Sequence, residues 1–173
     1  MRSLEQVVEF LQRNQLMLTT AESCTAGLMT AMLADIAGCG RVLESGYVVY
    51  SVTAKRATLG VSLETIKTYG LTSEEVAREM AAGALRVSSA TIALANTGLA
   101  ESGDESLDGV VCFACAMGLE ENIKVVSETV KFDAPRNEVR KAAARHGLQQ
   151  LPTYFQRLQN AGRGPEDDLG VIP

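Results

Sequence analysis

The sequence predicts an α/β domain built on a mixed β-sheet with helices on both faces. Three observations predict it. Short runs of aliphatic, β-branched and aromatic residues alternate with stretches of helical period along most of the chain. The last two apolar runs are joined by a few turn residues, too few for a crossover, so they pair antiparallel. The 173 residues, 46% hydrophobic and 21% charged, suffice for one domain with a sizeable core.

The elements follow in order. Ser3 and Gln6 form a capping box, and Val7, Val8, Phe10 and Leu11 give the apolar stripe of a first helix. Residues 16–20 form a short strand that feeds a helix over 25–36, stopped at Gly38. Residues 46–51 are rich in β-branched and aromatic side chains and read as a strand. A short helix over 53–59 ends at Gly60, and Ser62 caps another with Gly70 at its C-terminal end. Thr72-Ser73-Glu74-Glu75 opens a clear helix to residue 87. Residues 91–96 form an apolar strand leading into a polar loop over 97–108. Strands over 110–117 and 123–132 flank a turn at Glu120-Glu121-Asn122. Pro135 starts the last helix in its first turn, with Val139, Ala142, Ala143 and Leu148 on it and a second piece past Pro152. Residues 1–160 make the domain, and 161–173, with Gly, Pro and acidic residues, are expected to be a flexible acidic tail.

Composition removes several classes of function. The chain has no basic segment followed by an apolar one at its start and no apolar span of membrane length, so no membrane partner and a cytoplasmic location are expected. The net charge of −5 argues against a nucleic-acid partner. Of the four cysteines, Cys112 and Cys115 have the spacing of a redox or zinc pair. They lie within a continuous apolar strand, however, where side chains three apart point to opposite faces. They are expected to be reduced core residues, and no metal is expected.

The most informative segment is Thr20-Ala21-Glu22-Ser23-Cys24-Thr25-Ala26-Gly27. A strand delivers small hydroxyl and thiol side chains to the start of a helix, where free N–H groups and the positive end of the dipole gather. Such a place suits a nucleophile and its oxyanion; it equally suits an ordinary N-cap with a glycine for close packing. The single histidine, His146, precedes a glycine that reads as a helix end, which makes it a surface residue and leaves no histidine-rich metal site. Phosphate-binding glycine motifs of the common nucleotide folds are absent. A serine nucleophile without histidine needs another base, and a lysine with a depressed pKa can serve. Lys55, just past the strand end at Tyr50-Ser51, is the leading candidate; a solvated residue beside Arg56 is the other reading.

The blocks Ala21-Glu22-Ser23-Cys24-Thr25-Ala26-Gly27, Tyr50-Ser51 with Lys55, Leu59-Gly60-Val61 and Thr97-Gly98-Leu99-Ala100 resemble, in order and spacing, those of the CinA C-terminal domain family. That family includes nicotinamide mononucleotide amidohydrolases. The resemblance spans about residues 5–158. It implies a three-layer α/β/α single domain with a mixed, mostly parallel sheet. It also implies hydrolysis of the nicotinamide amide of a small nucleotide substrate to the acid and ammonia, with no metal or other cofactor, and a homo-oligomer, a dimer first. Residue by residue, the resemblance makes Ser23 the nucleophile, Lys55 its base and Thr97 a third catalytic residue that orients Ser23 or holds substrate. Thr25, Tyr50 and Gly98 would line the substrate pocket, and Arg136 and Arg140 would bind the phosphate, a task suited to guanidinium groups.

The chain departs from the family pattern at Ala26 and Val52, after Leu99-Ala100, and at Ser106-Leu107-Asp108. The loop gains Glu101, Asp104, Glu105 and Asp108, carboxylates that at close range would repel a phosphate. Weak turnover is therefore expected. The alternative function is a catalytically weak or inactive relative that keeps the pocket as a nucleotide-binding or interaction module.

Overall fold

The computed structural model describes residues 2–101, 103–104, 106–119 and 122–161. The expected tail beyond Ala161, and Glu105, Glu120 and Glu121, lie outside the described residues. Both halves of the Ser3–Gln6 capping box are made, and the first helix, α1 (Leu4–Arg13), buries Leu4, Val7, Val8 and Leu11. It is followed by β1 (Leu18–Glu22), α2 (Leu28–Ala34), a 3₁₀ turn (Cys39–Arg41) and β2 (Leu43–Val48). Three helices come next: α3 (Val52–Leu59), α4 (Leu63–Tyr69) and α5 (Glu74–Arg86). The chain then runs through β3 (Ile92–Leu99), β4 (Val110–Met117), β5 (Lys124–Lys131) and α6 (Arg136–Asn160).

The five strands form one sheet in the order β2-β1-β3-β4-β5. β1 is parallel to both β2 and β3, whereas β4 runs antiparallel to β3 and β5. Four of the five strands therefore share one direction, and only β4 opposes them. Every residue of the interior strand β1 is buried, while the edge strand β2 alternates half-buried and exposed positions. That contrast follows from having neighbours on both sides or on one.

Two cores lie on the two faces. One packs α1, α2 and α6 through Leu11, Met29, Leu33, Phe113, Leu148 and Tyr154. The other packs α3 and α5 through Leu59, Val76, Met80 and Ala84. The pleat of β4 sends Val111, Phe113 and Cys115 into the first core and Cys112, Ala114 and Ala116 into the second. Both cysteines are free thiols on opposite faces, and burial in apolar surroundings pushes both thiol pKa values up.

Several boundaries differ from the sequence expectation: β1 lies two residues later than 16–20, β3 runs past residue 96 to Leu99 and takes in residues read as loop, and three more differences have a local reason. Strand β2 ends at Val48 because Ser51 turns to cap α3, its hydroxyl accepting the Ala54 N–H at 3.0 Å. Helix α2 begins at Leu28 rather than residue 25, because Ala26 and Gly27 take positive φ values of 50° and 93°. Helix α6 is continuous from Arg136 to Asn160, through Pro152 and through Gly147, which is therefore no helix end. The residues around the proline, Leu148, Leu151, Tyr154 and Leu158, are all buried, and that packing outweighs one missing hydrogen bond. A side-chain carbon at Gly147 would stand 3.2 Å from the Phe113 ring, so the glycine there serves close packing.

Two tests follow from this packing. Gly83 lets α5 approach the end of α3, since a Cβ there would lie 2.0 Å from the Leu59 carbonyl oxygen. Gly83→Ala should lower the urea midpoint: an overpacking cost of about 1–3 kcal/mol exceeds the roughly 1 kcal/mol gained in helix propensity. An unchanged or higher midpoint would contradict the contact. In a native thiol titration Cys39, the only half-buried cysteine of the four, should react rapidly, and the other three only on unfolding.

Candidate active site

Ser23 begins the loop that leaves the carboxyl end of β1, and the loop is tied down on three sides. From β3, the Asn96 carbonyl accepts the Ser23 N–H at 3.1 Å, and Asn96 Nδ2 donates to Thr25 Oγ1 at 2.8 Å. The Cys24 thiol donates to Asn96 Oδ1 at 3.3 Å. From α6, Arg140 donates through Nε to the Cys24 carbonyl at 2.9 Å and through Nη2 to the Thr25 carbonyl at 3.3 Å. From below, the buried Glu22 carboxylate accepts six hydrogen bonds. Their donors are the N–H groups of Gly27, Met29 and Thr30 and the hydroxyls of Thr20, Thr25 and Thr30. A buried carboxylate is tolerable with that many donors around it.

Lys55 reaches the same place from α3. Ser51 caps this helix and sets its first turn, so that the Lys55 side chain runs under the loop and is fully buried. Its Nζ lies 2.8 Å from Ser23 Oγ, 2.9 Å from the Val49 carbonyl and 3.0 Å from the Tyr50 carbonyl. No carboxylate pairs with it among the described residues. Burial therefore lowers its pKa from 10.5 to about 8, with a small opposing effect from the Cys24 thiol. The same desolvation raises the Cys24 thiol to about 11, which makes it a poor nucleophile beside Ser23.

A cavity of about 410 Å³ opens over Ser23 and Cys24. Tyr50, Leu71, Thr97, Gly98, Leu107 and Val110 line it, so its walls are mostly apolar. Ser23, Lys55, Tyr50, Thr97 and Gly98 are thus brought together. The Thr97 hydroxyl, however, donates to the Leu71 carbonyl at 3.0 Å, which ties down the loop between α4 and α5 instead of reaching Ser23. Arg136 stands at the rim, its Nη2 3.4 Å from the Tyr50 hydroxyl, and is exposed.

Two expected ligand contacts are turned inward. The Thr25 hydroxyl is fully buried between Glu22 and Asn96, and the Arg140 guanidinium is held by loop carbonyls. The helix-start N–H groups expected to receive an oxyanion are likewise occupied, because Glu22 takes three of them. His146 lies on α6 away from the cavity, 2.8 Å from Glu128 and packed on Phe113 and Phe132. The described carboxylates of the 101–108 loop do not line the cavity; Glu101 and Asp104 are exposed, and Leu107 and Val110 face it. Among the described residues no group of three or more metal-ligating side chains is assembled.

Glu22 and Asn96, whose side chains hold the loop after Ser23, are residues that the sequence reading missed. A signal existed for each: a carboxylate two residues past the 16–20 run, and an amide at the end of the apolar run over 91–96. Register places them side by side, since Glu22 is paired with Asn96 across β1 and β3.

The CinA C-terminal domain model matches residues 2–155. The nicotinamide-nucleotide amidohydrolase PncC of Escherichia coli K12 is 39% identical over 163 residues, covering 92% of this chain and 96% of that protein. A CinA-like protein of Chlorobium phaeobacteroides is 46% identical over 115 residues, covering 65% of this chain, which spans only 27% of the relative's length. Among solved structures, a competence/damage inducible protein of Agrobacterium tumefaciens superposes with a TM-score of 0.79 at 36% identity, covering 88% of this chain and 96% of that one. With the same architecture, and with the serine, lysine and threonine blocks meeting at one cavity, the chain belongs to the CinA C-terminal domain family.

Proposed function

We propose that the chain is an amidohydrolase that converts the carboxamide of nicotinamide mononucleotide to the acid and ammonia, with Ser23 as nucleophile and Lys55 as its base. The single observation that carries this reading is the environment of the Lys55 amine. A neutral amine has two N–H bonds and one lone pair. The Val49 and Tyr50 carbonyls take the two N–H bonds, which leaves the lone pair aimed at Ser23 Oγ. Once protonated, the ammonium finds the same three oxygens as acceptors, so the proton can arrive without rearrangement.

The reaction then runs in two halves. Ser23 Oγ attacks the amide carbon while Lys55 takes its proton, and the ammonium returns that proton to the departing amine, releasing ammonia. Water, deprotonated by the neutral Lys55, attacks the acyl-serine carbon, and the carboxylic acid leaves as Ser23 recovers its proton. The apolar walls from Leu71, Leu107 and Val110 suit a flat aromatic ring, and Arg136 at the rim suits its phosphate. With the described loop carboxylates outside the cavity lining, solvent screening weakens the repulsion they exert, which favours an active enzyme over a binding module. A cytoplasmic homodimer that recycles nicotinamide nucleotides completes the proposal; the location rests on the sequence reading, the dimer and the recycling on the family resemblance.

Ammonia release from nicotinamide mononucleotide by the purified protein tests this. Ser23→Ala and Lys55→Ala should each cost about 10³-fold or more in kcat, and the double variant little beyond that, because the pair acts as a unit. The neutral amine is the reactive form, so kcat/KM should rise about tenfold per pH unit below about 8 and level off above it. A flat profile from pH 6 to 9, or an active Lys55→Ala enzyme, would refute the base assignment. Arg136→Ala should raise KM about tenfold with kcat nearly unchanged, as expected for lost uniform binding; an unaltered KM would remove Arg136 from the phosphate site.

A further inference from the structure

We infer that Glu22 is the positioning residue of the Ser23 site, and that it leaves the N–H groups of Cys24 and Thr25 to form the oxyanion hole. The inference rests on the Ser23–Lys55 reading and extends it to a residue with no contact to substrate. A helix start with free N–H groups normally binds an anion. In this chain the anion is part of the protein. Glu22 accepts the Gly27, Met29 and Thr30 N–H groups at 2.9, 3.0 and 2.9 Å, so no substrate oxygen can take them.

The consequence appears in the loop. Glu22 Oε2 accepts the Thr25 hydroxyl at 2.6 Å; with its proton committed there, the Thr25 oxygen accepts from Asn96 Nδ2 at 2.8 Å. That relay, with Arg140 on the Cys24 and Thr25 carbonyls, turns the 24–25 and 25–26 peptide units so that their carbonyls point at α6. Trans peptide geometry sends the Thr25 N–H the opposite way from the Cys24 carbonyl, and the Cys24 N–H the opposite way from the Ser23 carbonyl, which accepts the Ala26 N–H at 3.1 Å. The Thr25 N–H has no acceptor among the described residues, and the Cys24 N–H meets only its own thiol. Both residues are buried, and buried N–H groups are nearly always paired. Two such donors in succession, directly after a serine that lines a cavity, have the chemistry to receive the oxygen of a tetrahedral intermediate.

The ionised carboxylate is what makes the arrangement hold. All six of its partners are donors, and an amide in its place can accept at one oxygen only. In Glu22→Gln the amide nitrogen must face at least one backbone N–H, so the start of α2 shifts and the loop loses its register against Lys55.

The experiment measures two things on wild type and Glu22→Gln: steady-state hydrolysis of nicotinamide mononucleotide, and the rate at which a serine-directed fluorophosphonate labels Ser23, each per folded molecule. The expected result is a loss of about 10²-fold in kcat and a comparable loss in labelling rate, with KM changed less than threefold. A residue that only stabilised the fold would lower Tm and leave both rates of the folded fraction unchanged, and that outcome overturns the inference. If Glu22→Gln does not fold, Thr25→Val should show the same two losses and Thr25→Ser should restore both rates to within about threefold; equal rates in the two Thr25 variants also overturn it. Wild-type protein that releases ammonia but is not labelled at Ser23 sinks the nucleophile reading itself, whereas labelled wild type with an unaffected Glu22→Gln sinks this inference alone.

Discussion

An amine buried without a countercharge is the constraint on which the rest of the site depends. Lys55 has no exposed surface, and among the described residues its partners are neutral oxygens: two carbonyls just past β2 and the Ser23 hydroxyl. A carboxylate within reach would favour the ammonium and raise its pKa, moving the neutral amine further from neutral pH. The nearest one in sequence to Ser23, Glu22, is kept from that role by its six donors, which draw it toward α2. Glu22 and Lys55 thus both adjoin Ser23, one in sequence and one in space, yet are held by separate partners. The cost of burying Lys55 as an ammonium becomes the depressed pKa that base chemistry near neutrality requires.

The fold makes this possible by where the strands end. Ser23 follows β1, Asn96 and Thr97 stand toward the end of β3, and Tyr50 follows β2, all at the carboxyl edge of three parallel strands. That edge is where open α/β sheets collect their ligands, because the loops there leave room between the helical layers. The two layers contribute differently. Helix α3, on one face, supplies Lys55, and α6, on the other, supplies Arg140 to the loop carbonyls and Arg136 to the rim. The antiparallel half of the sheet closes the far wall of the cavity with Val110 and Leu107.

Much of the fold was legible because it rests on local signals. The Ser3–Gln6 capping box is a local pattern, and the apolar runs and the opposite faces of Cys112 and Cys115 follow from periods of two or 3.6 residues; the second box read at Thr72–Glu75 is instead a plain cap by Ser73 on the Val76 N–H. Ser23 and Lys55 were legible from their motif blocks. What sequence could not supply was the direction of side chains that satisfy one another. Thr25 and Arg140 read as substrate contacts because a hydroxyl and a guanidinium after a nucleophile resemble them; in the structure their donors serve Glu22 and the loop carbonyls. Glu22 was missed for the converse reason, since its six donors are spread over eleven residues that only folding brings together. Helix α6 defied the proline rule because the buried Leu148, Leu151, Tyr154 and Leu158 outweigh it.

The measurement that bears most directly on these claims is the titration of the Lys55 ammonium itself, followed by heteronuclear NMR on selectively labelled lysine in the Ser23→Ala protein and in the wild type. The buried, countercharge-free site predicts a midpoint near 8 in the wild type, separated from the other lysines. A Lys55 midpoint near the ordinary lysine value of about 10.4 would contradict it, because the amine could not then act as the base for Ser23 at neutral pH.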